Sequence, residues 1–175
     1  MTSKSVRKAT AALLLVIVAG GLAWLAAQAG RSGPLADSAL LPLLHYRNAG
    51  GAHLVRSESH RRTAIVLFNS QCSHCLYELD AFNRRLAEVD GARIYLLTTE
   101  TSLPTDTVLR RWPSLMHSAA VSWGTVRADE FREGLRTLVT PAVFVFDEQG
   151  RLLNQFRGET KFDLLVLALS REAAG

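Results

Sequence analysis

The sequence predicts an α/β domain with a central mixed sheet flanked by helices, and three observations support this fold class. Residues 63–68 form a continuous apolar run rich in β-branched residues, and an amphipathic segment begins shortly after it at Cys72. A second apolar run at 93–98 completes a strand–helix–strand unit, which is typical of parallel strands. Near the C-terminus, apolar runs at 142–146 and 151–156 flank a short turn and predict an antiparallel hairpin.

The composition is that of a folded protein. Hydrophobic residues make up 48% of the 175 residues and charged residues 21%, so a core can form. One domain with an appendage accounts for this length. The formal net charge is +4, but Lys4, Arg7 and Lys8 precede the first apolar segment, and the remaining basic clusters are isolated pairs without interleaved aromatic residues. We therefore predict no nucleic-acid partner.

A basic segment at residues 1–10 is followed by an apolar segment at 11–29 that predicts attachment to a membrane. Residues 11–27 carry no charge, and a helix over 9–27 is about 28 Å long, close to the roughly 30 Å hydrocarbon core of a bilayer. We predict a single-pass anchor that contacts the lipid bilayer through residues 11–27. Because positive flanks stay in the cytoplasm, the remainder is predicted to face the periplasm from the inner membrane.

A cleaved signal peptide is the alternative for this segment, since Ala27-Gln28-Ala29 followed by Gly30 fits a small-residue cleavage pattern. The apolar run exceeds the roughly 7 to 15 residues usual for a signal peptide, which favours the anchor. Both interpretations place the rest of the chain outside the cytoplasm. Residues 30–42, with two glycines and two prolines, predict a linker, and residues 43–175 the folded domain.

Within this domain, the run at 63–68 predicts a central strand buried on both faces. The helix that begins at Cys72 extends to Gly91, which ends it, and the next strand spans 93–98. The apolar face of that helix is formed by Leu76, Leu79, Phe82, Leu86 and Val89.

The second half predicts three further helices around the hairpin. A short helix at 105–112 is expected to stop at Pro113, and another at 128–135 to be capped by Asp129. After the hairpin, a last amphipathic helix at 161–173 is expected to cover the sheet.

The two cysteines of the chain lie together in Cys72-Ser73-His74-Cys75, at the predicted start of a helix that follows a buried strand. Unpaired N–H groups and the positive end of the helix dipole stabilise a thiolate on the first cysteine. The second cysteine, one turn later, can close a disulfide. This pattern in a strand–helix–strand context is typical of a redox-active pair, with Cys72 as nucleophile and Cys75 as resolving thiol.

Three other interpretations of the pair compete with this one. A zinc site would need further ligands, and none of His45, His53, His60, His74 and His117 lies at a second paired spacing, so we predict no metal. A structural disulfide with so small a ring would add little stability. Two buried, inert thiols do not suit an oxidising compartment.

Residues Phe68 to Glu78 (FNSQCSHCLYE) resemble the active-site segment of membrane-anchored bacterial thioredoxin-like proteins of the TlpA and cytochrome-c-maturation reductase type. Residues Thr140 to Gly150 (TPAVFVFDEQG) are similar to that family's proline–strand–turn–glycine segment. The likeness covers residues 54–173, and it implies a thioredoxin fold.

The resemblance also implies roles for individual residues. Pro141 would be cis and face the cysteines, and the backbone of Thr140 would pair with an extended substrate peptide. Glu78 matches an acidic position that manages the proton on a cysteine in some members, with an exposed helix carboxylate as the alternative.

Two departures from the family pattern bear on function. Gln71 replaces the tryptophan that usually precedes the first cysteine, which changes the surface offered to substrates. His74 directly before the second cysteine resembles strongly oxidising disulfide donors, and its ring is expected near the Cys72 sulfur, where it would favour the thiolate. The threonine typical of peroxiredoxins, three residues before the reactive cysteine, is absent, because Asn69 stands there.

Together these features predict an extracytoplasmic thiol–disulfide oxidoreductase, more in keeping with a reductase, that needs no cofactor. The implied partners are cysteine-containing exported proteins, such as apocytochromes c, and a membrane protein that relays dithiols and disulfides. The alternatives are an oxidase or isomerase of the same fold and a non-catalytic binding module in an envelope assembly.

Overall fold

The computed structural model describes residues 16–21, 34–89, 91–103 and 110–170. The chain divides into two compact units, Met1–Gly33 and Pro34–Gly175. In the first unit residues 16–21 are helical, and the rest of the predicted anchor at 11–29 lies outside the described residues. Within the part of the chain that is described, no helix combines the length and the apolar character needed to cross a membrane.

The second unit contains seven strands and four α-helices among its described residues. The strands are β1 (His45–Asn48), β2 (Gly51–Leu54), β3 (Thr63–Leu67), β4 (Arg93–Thr98), β5 (Val121–Val126), β6 (Ala142–Phe146) and β7 (Leu152–Arg157). The helices are α1 (Ser73–Arg84), α2 (Pro113–His117), α3 (Ala128–Leu135) and α4 (Phe162–Leu169), and a 3₁₀ turn, Leu86–Val89, follows α1.

The strands form one mixed sheet in the order β2-β1-β5-β4-β3-β6-β7. Strands β3, β4 and β5 are parallel to one another, and β6 is antiparallel to β3. Strand β3 lies between β4 and β6, with Ile65 opposite Tyr95 on one side and Phe144 on the other. Because β3 and β4 run in the same direction, the loops that follow them meet at one edge of the sheet.

The core is split by the sheet into two layers. Alternate residues of each strand face opposite sides, so Val66 and Ile65 belong to different clusters. Helices α1, α2 and α4 cover the face of Val66, where Phe82 packs edge-on against Phe162 at 5.0 Å between ring centres. Helix α3 covers the other face through Phe131 and Leu135.

The predicted central elements are confirmed. Every residue of β3 is buried, as expected of a strand covered on both faces, and β4, α3 and β6 have the predicted bounds. In the hairpin, Gly150 adopts φ +75°, a conformation that glycine reaches without steric cost, and the returning strand begins one residue later than predicted, at Leu152.

Several predicted boundaries were wrong. Helix α1 ends at Arg84 instead of running to Gly91, because Arg85 leaves the helical region and the chain continues as the 3₁₀ turn. Pro113 begins α2, a short helix that was not predicted, since a proline needs no N–H in the first turn. The predicted helix at 105–112 lies mostly outside the described residues, although Arg110 and Arg111 are helical.

Two other predicted ends differ. The N-cap of α3 is Arg127, and Asp129, the predicted cap, lies in the first turn and pairs with the Arg127 side chain. Helix α4 spans Phe162–Leu169, and the end of the predicted helix, residues 171–173, lies outside the described part.

Candidate active site at the start of helix α1

Cys72 is the N-cap residue of α1, at the edge of the sheet where β3 ends. Its backbone is extended (φ −90°, ψ 113°), and its Sγ accepts the N–H of Cys75 at 3.4 Å. An N-cap side chain normally satisfies one of the free N–H groups of a helix start, and here a sulfur takes that place. The predicted position of Cys72 at the helix start is therefore observed.

The surroundings of Cys72 favour its thiolate. Burial alone raises the pKa of this partly exposed thiol, but hydrogen bonds from the Cys75 thiol and from the N–H groups of Cys75 and His74 outweigh it and lower the pKa below its ordinary value. The side chain of Thr140 acts in the same direction. A lowered pKa with partial exposure is what a thiol nucleophile needs.

Cys75 is fully buried, and its environment has the opposite effect. Burial raises the pKa of its thiol to about 12, and the hydrogen bond that it donates to Cys72 adds to this rise. The Asn69 N–H, 3.4 Å from Cys75 Sγ, opposes it only in part. Since Cys72 is partly exposed, the interpretation of two buried, inert thiols is wrong.

The loop before β6 lies against the nucleophile. The Thr140–Pro141 peptide bond is cis, as the family resemblance implies. The Cys72 thiol lies 3.7 Å from the Thr140 carbonyl oxygen, which accepts from it. Gln71 is exposed directly beside Cys72, and its N–H is held by the Asn69 side chain at 2.8 Å. The structure thus places the Thr140 carbonyl, just before the cis bond to Pro141, against Cys72 Sγ, with Gln71 as the preceding residue of the chain.

The ring of His74 does not contact the Cys72 sulfur, contrary to the prediction. Its Nδ1 lies 2.5 Å from Oε2 of Glu159, a residue of the loop between β7 and α4. Only the backbone N–H of His74 acts on Cys72. The prediction could not include this contact, because 85 residues separate the two partners and no local pattern marks Glu159.

Glu78 is buried, with 2% of its surface exposed, so the alternative of an exposed helix carboxylate is wrong. Burial raises the pKa of its carboxyl to about 8, the Thr160 N–H opposes this rise, and the negative charge of Glu159 adds to it. Neither carboxyl oxygen has a partner of normal hydrogen-bond geometry among the described residues. Burial therefore favours the protonated form of Glu78, which lies one helical turn after Cys75.

Glu100 was not predicted as a site residue, yet it fixes the loop that leads to Cys72. Its carboxylate accepts from the Ser70 hydroxyl at 2.6 Å, the Ser70 N–H at 3.0 Å and the Thr98 hydroxyl at 2.9 Å. Glu100 follows β4 and Ser70 follows β3, so the parallel pairing of these strands brings them together. A carboxylate just after the second parallel strand was the signal that could have identified it.

These contacts describe a dithiol with one partly exposed and one buried sulfur, and a buried carboxyl follows one helical turn further along α1. Such a pair can form a mixed disulfide at Cys72 and then close on itself. The described residues contain no cluster of three histidine, cysteine or acidic side chains that could hold a metal ion.

No protein-family model matches the sequence, and neither does any curated protein. Solved structures do match. A peroxiredoxin-like protein from Aquifex aeolicus is 16% identical, with a TM-score of 0.58 over 77% of this chain and 86% of that one. The thioredoxin domain of a thiol-disulfide oxidoreductase from Bacteroides vulgatus is 13% identical, with a TM-score of 0.56 over 78% and 99%.

A thiol:disulfide interchange protein from a Bacteroides species gives 15% identity and a TM-score of 0.55 over 80% of this chain and 95% of that one. At these identities the likeness is one of fold. It confirms the predicted α/β class and the thioredoxin-like arrangement of sheet and helices.

Proposed function

We propose that this chain is a thiol–disulfide oxidoreductase that acts on protein disulfides and dithiols through Cys72 and Cys75. The proposal rests on the difference in exposure and pKa between the two cysteine thiols. Cys72 is partly exposed at a helix N-cap with a lowered pKa, whereas Cys75 is buried with its pKa raised to about 12. Cys72 is therefore suited to attack a disulfide as a thiolate, and Cys75 stays protonated until it is needed to resolve the mixed disulfide.

In the reducing direction, the Cys72 thiolate attacks one sulfur of a substrate disulfide. A Cys72–substrate disulfide forms, and the other substrate sulfur leaves as a thiolate, which takes up a proton. Cys75 then loses its proton and attacks Cys72 Sγ, which closes the Cys72–Cys75 disulfide and releases the second substrate thiol. Two electrons pass from the cysteine pair to the substrate, and no cofactor takes part.

Glu78 is the proposed partner of the Cys75 proton. Its carboxyl, one turn further along α1, has a pKa of about 8 because it is buried, close enough to neutral pH for the group to take or give a proton during turnover. An ordinary carboxylate would be too weak a base for a thiol as basic as Cys75. The family resemblance implied this role, and the burial of Glu78 supports it.

The reducing direction is favoured over the oxidising one. The sequence feature that suggested an oxidant was His74, and its ring contacts Glu159 instead of Cys72. Equilibration of the pair with glutathione measures the direction, since thioredoxin and the strongest oxidants of this fold differ by about 150 mV. A potential near the oxidising end of that range would favour the oxidase or isomerase alternative.

The proposed substrates are cysteine-containing exported proteins, such as apocytochromes c, and the proposed electron source is a membrane protein that relays dithiols. An extended substrate peptide would pair with the backbone of Thr140 next to Cys72, and the exposed Gln71 would form part of the surface offered to it. A polar glutamine at this position presents a substrate surface unlike that of proteins with tryptophan there.

Trapping variants test the assignment of the two cysteines. In Cys75→Ser the mixed disulfide at Cys72 cannot be resolved, so we expect covalent adducts with exported proteins to accumulate on non-reducing gels. Cys72→Ser, which keeps Cys75, is the matched control and should trap none. If adducts formed only in Cys72→Ser, Cys75 would be the nucleophile and Cys72 the resolving thiol.

If wild-type protein neither reduces nor oxidises a model protein disulfide, the chain is a binding module instead. Insulin serves as the model disulfide, and Cys72→Ser as the background rate.

We further propose that residues 11–27 anchor the protein in the inner membrane with the folded unit in the periplasm. The support is the uncharged run behind Lys4, Arg7 and Lys8. Alkaline phosphatase fused after Gly175 should be active, since that enzyme needs an oxidising compartment to form its disulfides. Activity of a cytoplasm-dependent reporter at the same position, without phosphatase activity, would contradict the proposal.

A further inference from the structure

Glu159 connects the loop between β7 and α4 to the active-site motif. It follows Gly158, whose φ of +89° turns the chain, and its Oε2 lies 2.5 Å from Nδ1 of His74. With a carboxylate as the acceptor, the imidazole must carry the proton on Nδ1. The side chains of His74 and Glu159 are 67% and 42% exposed, so the contact lies at the surface beside the cysteines.

Because the His74 ring contacts Glu159, it is not among the groups that contact Cys72 Sγ. Cys72 Sγ is surrounded by the Cys75 N–H at 3.4 Å and the Thr140 carbonyl at 3.7 Å, and the groups that shift its pKa include the His74 backbone N–H but not the ring. An imidazole N–H placed on the sulfur would stabilise the thiolate and hence the dithiol form. A pair with a more stable dithiol form is more oxidising.

We propose that Glu159 is a positioning residue that holds the His74 ring away from Cys72 Sγ and thereby keeps the cysteine pair reducing. The inference rests on the proposed function and deepens it. A histidine inside the motif is compatible with a reductase because a distant carboxylate binds its ring. The short side-chain contact across the helix start is the observation that carries it.

Glu159 also acts on Glu78, whose pKa it raises through its charge. A test of the proposal must therefore separate the position of the ring from the charge of the carboxylate. Glu159→Ala removes both, whereas Glu159→Gln keeps an oxygen that can accept from Nδ1–H and removes only the charge. Each variant is also made in the His74→Ala background. The matched control is Glu133→Gln, because Glu133 is an exposed carboxylate on α3, on the other face of the sheet.

The first measurement is the equilibrium of the cysteine pair with glutathione. We expect Glu159→Ala to favour the dithiol form about tenfold, which corresponds to about 30 mV for a two-electron couple. Glu159→Gln should shift it less, and neither change should have an effect in the His74→Ala background. Glu133→Gln should equal wild type.

The second measurement does not depend on exchange activity. In a Cys75→Ser background, the pH profile of Cys72 alkylation should move to lower pH in Glu159→Ala and stay in place when His74 is also alanine. Circular dichroism checks that the variants fold, and Glu159→Asp, which keeps a carboxylate, should restore part of the wild-type profile.

Equal shifts in Glu159→Ala and Glu159→Gln, or a shift that persists in the His74→Ala background, would overturn the proposal. They would show that the charge of Glu159, and not the position of the His74 ring, affects Cys72. An unchanged alkylation profile in Glu159→Ala would overturn it as well. If wild-type protein fails to exchange with glutathione but the alkylation profile moves as expected, the proposed function is wrong and the positioning role of Glu159 stands.

Discussion

At the scale of single residues, Glu78 shows how burial changes the chemistry of a side chain. It lies on the face of α1 that also carries Cys75, Leu79 and Phe82, all of them buried. A carboxyl there can avoid the cost of a buried charge only by keeping its proton, which is why its pKa rises to about 8. Its titration is therefore coupled to folding.

The sign of this coupling gives a prediction for Glu78→Gln. Because the folded-state pKa is raised from 4.5 to about 8, the wild-type protein loses stability as pH rises from about 4.5 to 8. Glutamine does not titrate, so its advantage over glutamate should grow across this range by an amount on the order of a few kcal/mol. Urea unfolding at pH 5 and pH 8 measures it.

The matched control for this prediction is Glu133→Gln, since Glu133 is exposed on α3. The free energy of unfolding of the control should follow wild type at both pH values. A stability difference between Glu78→Gln and wild type that does not change with pH would mean that Glu78 ionises normally in the folded protein.

Residues of the site differ in how far the sequence could reveal them. The helix start at Cys72 and the cis Thr140–Pro141 bond lie where they were expected, because each belongs to a short motif of neighbouring residues. Glu159 was missed, since a side-chain contact between a loop and a helix start leaves no periodic signal. The ring of His74 was misplaced for the same reason, as its preferred partner was unknown.

At the scale of elements, the loop that follows β3 depends on the loop that follows β4. Glu100 binds Ser70 through both its N–H and its hydroxyl, and the same loop presents the Asn69 N–H to Cys75 Sγ. Burial raises the pKa of Glu100, but hydrogen bonds from Ser70 and Thr98 outweigh it and lower the pKa below its ordinary value. The carboxylate therefore stays charged and keeps its bonds at neutral pH.

We predict that Glu100→Ala loosens this loop without changing the sheet. Loss of the hydrogen bonds to a charged group should reduce the free energy of unfolding by about 2 kcal/mol and speed amide exchange at Asn69 and Ser70. Ser70→Ala, which removes only the hydroxyl contact, is the graded control and should have a smaller effect. Unchanged exchange at both amides would show that the loop holds its own conformation.

Element boundaries were predicted well for strands marked by an apolar run, and badly where one residue is compatible with both the end and the start of a helix. Strands β3, β4 and β6 are apolar and central; β4 and β6 have the predicted bounds, and β3 ends at Leu67, one residue before the predicted end. Pro113 follows one helical segment and opens another, α2, whose Ser114 and Leu115 N–H groups are accepted by the Asn83 side chain of α1 at 2.9 and 3.3 Å. A cap supplied by another helix cannot be inferred from neighbouring residues.

At the scale of the whole folded unit, the hairpin of β1 and β2 extends the sheet beyond β5. Its strands are four residues long and partly exposed, so they lack the apolar runs that identified the central strands. Strand β5, with Ser122, Gly124 and Thr125 among its residues, was missed for the same reason. These three strands take their conformation from the sheet that they join.

Gly124 is the position on which this junction depends. A Cβ there would overlap the Tyr46 ring of β1 and lie 3.1 Å from the Arg47 carbonyl oxygen. We predict that Gly124→Ala costs about 2 kcal/mol and increases amide exchange along β1, because the hairpin must move away from β5. Gly91→Ala, with no atom within 4 Å of the added carbon, is the control and should leave both measurements unchanged.

The buried position of Cys75 also sets the order of events in time. With its pKa raised to about 12, the Cys75 thiol stays protonated at neutral pH and does not attack while Cys72 is free. Part of that pKa comes from Cys72 itself, through the hydrogen bond that its sulfur accepts and through its negative charge. Both contributions end when Cys72 becomes part of a mixed disulfide. In the proposed mechanism, capture of a partner therefore weakens what keeps the proton on Cys75, and loss of that proton leads to release of the same partner.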